Sequence, residues 1–127
     1  MTQSKPSKHT VLVVEDEALI RMFAVYIFED EGFEVLEAAN AAEALVVLER
    51  RSDVEVLFTD VDMPGDRDGF NLALKSRITH PNIAVLIASG RHVENEASLP
   101  ALPARALFMG KPYTPEKVVA KVRAMIC

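Results

Sequence analysis

Apolar residues along this chain alternate between two rhythms. Five short runs have the length and composition of strands: Val11 to Val14, Phe33 to Glu37, Val54 to Thr59, Ile83 to Ala88 and Ala106 to Met109. Val11–Val14 and Ile83–Ala88 are unbroken, and Val54–Phe58 is interrupted only by Glu55, as in strands buried on both faces. Phe33–Glu37 alternates apolar and charged residues. Between the runs, apolar residues recur at helical spacing. Leu19, Met22, Phe23, Tyr26 and Ile27 mark a helix over 18–31, which Gly32 stops. Asn40 with Glu43 three positions later predicts a capped start for a helix that buries Ala41, Ala44, Leu45 and Leu48 and ends near Arg51. Pro64, Gly65 and Gly69 break the chain before a third helix, Phe70 to Thr79. Pro81-Asn82 turns it again. The last helix starts with Thr114 as its cap and Pro115 in its first position, and presents Val118, Val119, Val122 and Ile126. Residues 91–105 are the weak part of the pattern. Pro100 and Pro103 limit any helix there to a short one ending by about Ser98.

A strand–helix unit repeated five times predicts an α/β fold with a parallel sheet covered on both faces, and right-handed crossovers leave few topologies. The expected organisation is a loose tail over 1–8 and one domain over 9–127, with no second domain and no internal repeat. A chain of 127 residues suits one core.

Charge narrows the function. The net charge is −5, and the basic residues form no block. Direct nucleic-acid binding, which depends on neutralising phosphates, is disfavoured. The only cysteine, Cys127, forms no internal disulfide or thiolate metal cluster. The polar N-terminus is not a signal peptide, and no apolar run reaches membrane-spanning length, so the chain is expected in the cytoplasm. His9, His80 and His92 are scattered through loops and the tail and read as solvated side chains.

In a parallel sheet the strand C-termini share one edge, where open α/β sheets place their ligands. Glu15 and Asp16, Asp60 and Asp62, Ser89 and Lys111 each lie just past such an end. Taken singly, each has a plain reading. The acids suit helix starts, Ser89 suits a turn before Gly90, and Lys111 suits the surface. Together, converging carboxylates repel one another and call for a cation. Oxygen ligands with open positions suit Mg²⁺. Lys111 adds a point charge for a phosphoryl oxygen, and Ser89 adds a hydroxyl donor. A carboxylate in that company is equipped for phosphoryl transfer through an aspartyl phosphate.

The stretches V-L-V-V-E-D-E, L-F-T-D-V-D-M-P-G-D-R-D-G, A-S-G and G-K-P-Y resemble the receiver domain of two-component response regulators in order and spacing, over residues 9–127. The resemblance implies a flavodoxin-like, doubly wound (βα)5 fold with strand order 2-1-3-4-5. It implies Asp60 as phosphoacceptor and Mg²⁺ ligand, and Asp16 as a direct Mg²⁺ ligand. Glu15 would act on the metal through water, and the backbone carbonyl of Asp62 would be a third protein ligand. Ser89 would be the switch hydroxyl, Lys111 the phosphoryl-binding lysine, and Lys111–Pro112 a cis bond. The implied partners are a sensor histidine kinase or histidine phosphotransfer protein as donor and an unidentified downstream protein. The chain would be a monomer or a phosphorylation-dependent dimer, a signal carrier or a phosphate sink, and no enzyme beyond self-phosphorylation and slow self-dephosphorylation.

Some positions depart from the family pattern. The aromatic switch position is Phe108, which has no hydroxyl. The loop after Pro64 is one residue longer than in common receivers. Segment 91–104 implies a short or irregular fourth helix that phosphate would order. Ile87-Ala88-Ser89-Gly90-Arg91-His92 partly resembles the Phe-Ala-Thr-Gly-x-Tyr motif of small alphaproteobacterial single-domain receivers. Arg91 and Asp62 flank the site with opposite charges, so their pairing would affect the phosphoryl lifetime. Three other functions compete. A receiver-like binding module could use the same surface without phosphate. A haloacid-dehalogenase-type phosphatase is opposed by Pro64, which stands where that motif has Thr or Val. A flavodoxin-like cofactor binder is opposed by Glu15-Asp16-Glu17, which would repel a phosphate.

Overall fold

A computed structural model describes residues 9–60, 68–89 and 105–126. The expected tail, the extension after Pro64 and the irregular helix over 91–104 lie outside the described residues. Five strands, β1 (Thr10–Val14), β2 (Glu34–Ala38), β3 (Val56–Asp60), β4 (Ala84–Ser89) and β5 (Ala106–Gly110), form one parallel sheet in the order β2-β1-β3-β4-β5. The described helices are α1 (Ala18–Asp30), α2 (Ala41–Arg50), α3 (Asp68–Thr79) and α4 (Pro115–Ile126). The architecture is the doubly wound one expected, and the strand bounds shift by one or two residues from the apolar runs.

The alternation of side chains along each central strand divides the core into two layers. Leu12, Val14, Leu57, Val85 and Ile87 pack against Ala44 and Leu48 of α2 and Leu72 and Ala73 of α3. Val11, Val13, Val56, Phe58 and Leu86 pack on the other face against Ala24 and Phe28 of α1 and Val118 and Val122 of α4. Within the second layer, Phe33, Phe28, Phe58 and Tyr113 form a chain of edge-on rings, with centroids 5.5, 5.5 and 5.6 Å apart. Such contacts add to simple burial.

The helix starts follow their local chemistry. The Asn40 side chain accepts a hydrogen bond from the Glu43 N–H at 2.8 Å, and the Glu43 carboxylate accepts one from the Ala39 N–H at 2.8 Å. Thr114 accepts from the Lys117 N–H at 3.2 Å, ahead of Pro115. Asn40→Ala is expected to lower unfolding free energy by about 1 kcal/mol, the usual worth of such a cap. Urea unfolding measures this, and an unchanged midpoint would count against it.

The α1 helix forms where the spacing places it, and its apolar stripe faces outward: Leu19, Met22, Phe23 and Tyr26 are 80, 64, 48 and 66 % exposed. The residues α1 buries are Ala24, Ile27 and Phe28. His80 is not solvated. It is buried behind α3, where Nε2 donates to the Arg51 carbonyl at 2.7 Å and Nδ1 pairs with the Thr79 hydroxyl at 2.8 Å.

Candidate functional site

The carboxyl edge of the sheet gathers side chains from three strand ends. Glu15 directly follows β1, Asp60 closes β3, and Lys111 follows β5. The strands neighbour one another in the order β1-β3-β4-β5, so residues far apart in sequence become neighbours. One carboxylate oxygen each from Glu15, Asp16 and Asp60 lies within 4.8 Å of the other two. Glu15 and Asp60 are buried and Asp16 is exposed. The Lys111 ammonium donates to Asp60 Oδ2 at 2.8 Å and stands 3.9 Å from Glu15 Oε1. Ser89 closes β4 and is buried, and its carbonyl accepts the Lys111 N–H at 2.7 Å. That bond ties the ends of β4 and β5 together. The Lys111–Pro112 bond is cis.

The electrostatics of this edge are unbalanced. At 4.8 Å or less, two ionised carboxylates repel by at least about 3 kcal/mol at an effective dielectric of about 20. One ammonium against three carboxylates leaves the repulsion partly uncompensated. The molecule responds at Glu15. Burial pushes its carboxyl up from 4.5 to about 7, the Glu17 N–H at 3.0 Å opposes this, and the Asp60 charge adds to it. Tyr113, edge-on to Phe58, has its hydroxyl pushed up to about 12 by burial and by the Glu15 and Asp60 charges. The donors are hard oxygens, two sheltered and one open to solvent. That set fits Mg²⁺, which takes one or two carboxylates and keeps several waters.

Of the residues singled out from sequence, Glu15, Asp16, Asp60 and Lys111 meet in this pocket, and Ser89 stands beside it through the Lys111 backbone. Asp62 and Arg91 lie outside the described residues, so their pairing and the role expected of the Asp62 carbonyl do too. Phe108 is half-buried on β5, level with Ile87 of β4, and packs on the α2–α3 side of the core. Sequence reasoning passed over Arg21. Its Nη1 donates to the Glu15 carbonyl at 2.8 Å and its Nε to Glu37 Oε1 at 3.2 Å. The signal available was a basic residue four positions after Glu17, one helical turn behind an acidic loop.

Comparisons with known proteins agree with this fold. The sequence profile of the response regulator receiver domain matches residues 11–123. The chain is 37% identical over 120 residues to the sensor kinase CckA of Brucella abortus, covering 92% of this chain and 12% of that protein. It is 30% identical over 116 residues to the aerobic respiration control protein ArcA of Escherichia coli, covering 91% of this chain and 48% of ArcA. The chain thus spans half or less of the length of these two relatives. Among solved structures, the receiver domain of the hybrid histidine kinase CckA superposes with a TM-score of 0.77 at 30% identity, covering 93% of this chain and 99% of that one. A CheY-like receiver domain protein from Methanospirillum hungatei gives 0.81 at 27% identity and covers 93% of both chains.

Proposed function

The chain belongs to the family of response regulator receiver domains, and from that premise we propose that it accepts a phosphoryl group on Asp60 from a histidine kinase or histidine phosphotransfer protein. The observation that carries this reading is the convergence of Glu15, Asp16 and Asp60 on one another, with the Lys111 ammonium on Asp60. An Asp60 carboxylate oxygen attacks phosphorus, and the phosphorus–nitrogen bond to the donor's imidazole breaks, its electron pair staying on the ring nitrogen. Asp16, Asp60 and, through water, Glu15 would hold Mg²⁺, with the Asp62 carbonyl as the further ligand that the family resemblance implies; the ion would neutralise charge on the phosphoryl oxygens. Lys111 moves from the carboxylate to a phosphoryl oxygen, and the Ser89 hydroxyl donates to another. Because the Lys111 N–H is bonded to the Ser89 carbonyl, the two strand ends shift together. Ser89 and Phe108 then carry the change outward, Phe108 by packing alone. The output is contact with a downstream protein or the draining of phosphate from another regulator. The test is intact-protein mass after incubation with acetyl phosphate: a gain of one phosphoryl group that requires Mg²⁺ supports the reading, and a metal-independent gain counts against it.

A protein donor needs a docking surface beside Asp60, and α1 supplies features of one. It begins directly after the acidic loop, and its exposed Leu19, Met22, Phe23 and Tyr26 form an apolar stripe. Phe23, Tyr26 and Ile27 continue into a groove of about 380 Å³ against Pro115 and Val119 of α4, rimmed by Asp30, Glu31 and Glu116. An apolar helix face with basic flanks complements such a groove. Replacing Met22 and Phe23 together by Glu should leave uptake from acetyl phosphate unchanged. Transfer from autophosphorylated histidine kinases of the same genome should fall at least about tenfold, the loss of one interface anchor. Equal transfer rates for both proteins would remove α1 from the donor site.

A further inference from the structure

The peptide group joining Glu15 to Asp16 is held from outside the pocket. Its carbonyl accepts a hydrogen bond from Arg21 Nη1 at 2.8 Å, and Arg21 Nε binds Glu37 on β2 at 3.2 Å. The Glu15 N–H donates to the Ala38 carbonyl, at the end of the same strand, at 3.1 Å. Glu15 is therefore tied to the end of β2 on both sides, directly through its N–H and through Arg21 at its C=O. The Arg21 N–H in turn donates to the Glu17 carbonyl at 2.8 Å, which fixes the first turn of α1. We infer that Arg21 is a positioning residue for the acidic pocket, and that its grip on the Glu15 carbonyl sets the separation and direction of the Glu15 and Asp16 carboxylates. The inference rests on reading those carboxylates as the cation-binding side of the pocket.

The peptide unit is rigid, so turning the Glu15–Asp16 plane re-aims everything attached on either side. Asp16 is exposed, so little packing holds its side chain, and two like charges lie within 4.8 Å. The unliganded loop has reason to spread. A charge-assisted bond from a largely buried guanidinium opposes that spreading. The pocket then meets a cation already in shape, and a variant without the guanidinium has to reassemble the loop on binding.

The experiment measures Mn²⁺ affinity from the free-ion electron paramagnetic resonance signal, alongside thermal unfolding, for wild type, Arg21→Ala, Arg21→Lys and Glu37→Gln. Arg21→Ala should bind Mn²⁺ about tenfold more weakly, at the low end for loss of an outer-shell partner. Arg21→Lys can reach one acceptor but not both and should be intermediate. Glu37→Gln keeps an acceptor for Nε and should stay near wild type. Phosphoryl uptake from acetyl phosphate by Arg21→Ala should recover at raised Mg²⁺, as expected for an aiming defect. Lowered unfolding midpoints with unchanged Mn²⁺ affinity would reduce Arg21 to a structural staple and overturn the inference. If Arg21→Ala does not fold, wild-type affinity in Arg21→Lys overturns it equally. A wild type that binds no Mn²⁺ overturns the pocket reading and this role with it.

Discussion

Asp60→Asn is expected to take up no phosphoryl group from acetyl phosphate and Mg²⁺, under conditions in which the wild-type chain should gain one. The loss should be complete, because an amide oxygen is not a nucleophile at phosphorus. Of the three carboxylates, Asp60 is the one buried at a strand end with the Lys111 ammonium 2.8 Å away. The fold should survive the change. The amide oxygen can still accept from Lys111, and removing one carboxylate relieves repulsion within the acidic cluster. Intact mass reads the acceptor, and urea unfolding of the same samples reads the fold. A variant that gains as much phosphate as wild type would move the acceptor to another side chain. A wild type that gains none, while amide exchange shows it folded, would favour a receiver-like module that binds partners without phosphate.

The second large effect is on stability against pH. Metal-free protein should become less stable as pH rises from about 4.5 to about 7. The Glu15 carboxyl titrates at 4.5 when unfolded and is raised to about 7 by burial first and by Asp60 next. Across that window the folded chain keeps a proton that the unfolded chain has released. The stabilisation is full below the unfolded value and gone above the folded one. Its size is on the order of 2–3 kcal/mol. Denaturant midpoints in chelator, taken across that range, should show the decline. Glu15→Gln should flatten it, and saturating Mg²⁺ should reverse it at the alkaline end. Asp53, held below its usual range by Arg51, titrates at more acid pH and does not enter the window. A decline of the same size in Glu15→Gln would assign it to other groups.

What could be read from the sequence was what depends on local pattern. Strand ends, the caps at Asn40 and Thr114, and the meeting of Glu15, Asp60 and Lys111 follow from run lengths, turn residues and the geometry of a parallel sheet. Periodicity placed α1 but left open which way its stripe faces, for a physical reason. A helical repeat shows that one face is apolar, not whether that face meets the core or another protein. The small Ala24 with Ile27 and Phe28 fills the contact with the sheet, while the larger stripe from Leu19 to Tyr26 is left outside. His80 was misread because the Arg51 carbonyl that its Nε2 donates to lies 29 positions away and meets it only when the chain folds. Arg21 was missed because a basic residue one turn behind an acidic loop does not show in sequence that it binds a backbone carbonyl.

The pocket draws on residues 15, 60 and 111, and Lys111 follows the outermost strand of the sheet. Such parallel pairings are non-local and among the slower ones for a chain to complete. On the ribosome, the stretch carrying Glu15, Asp16 and Asp60 emerges well before the lysine. A chain synthesised only as far as β4 therefore carries the acids but not yet the lysine. On the proposed function, competence to be phosphorylated would be a certificate of folding.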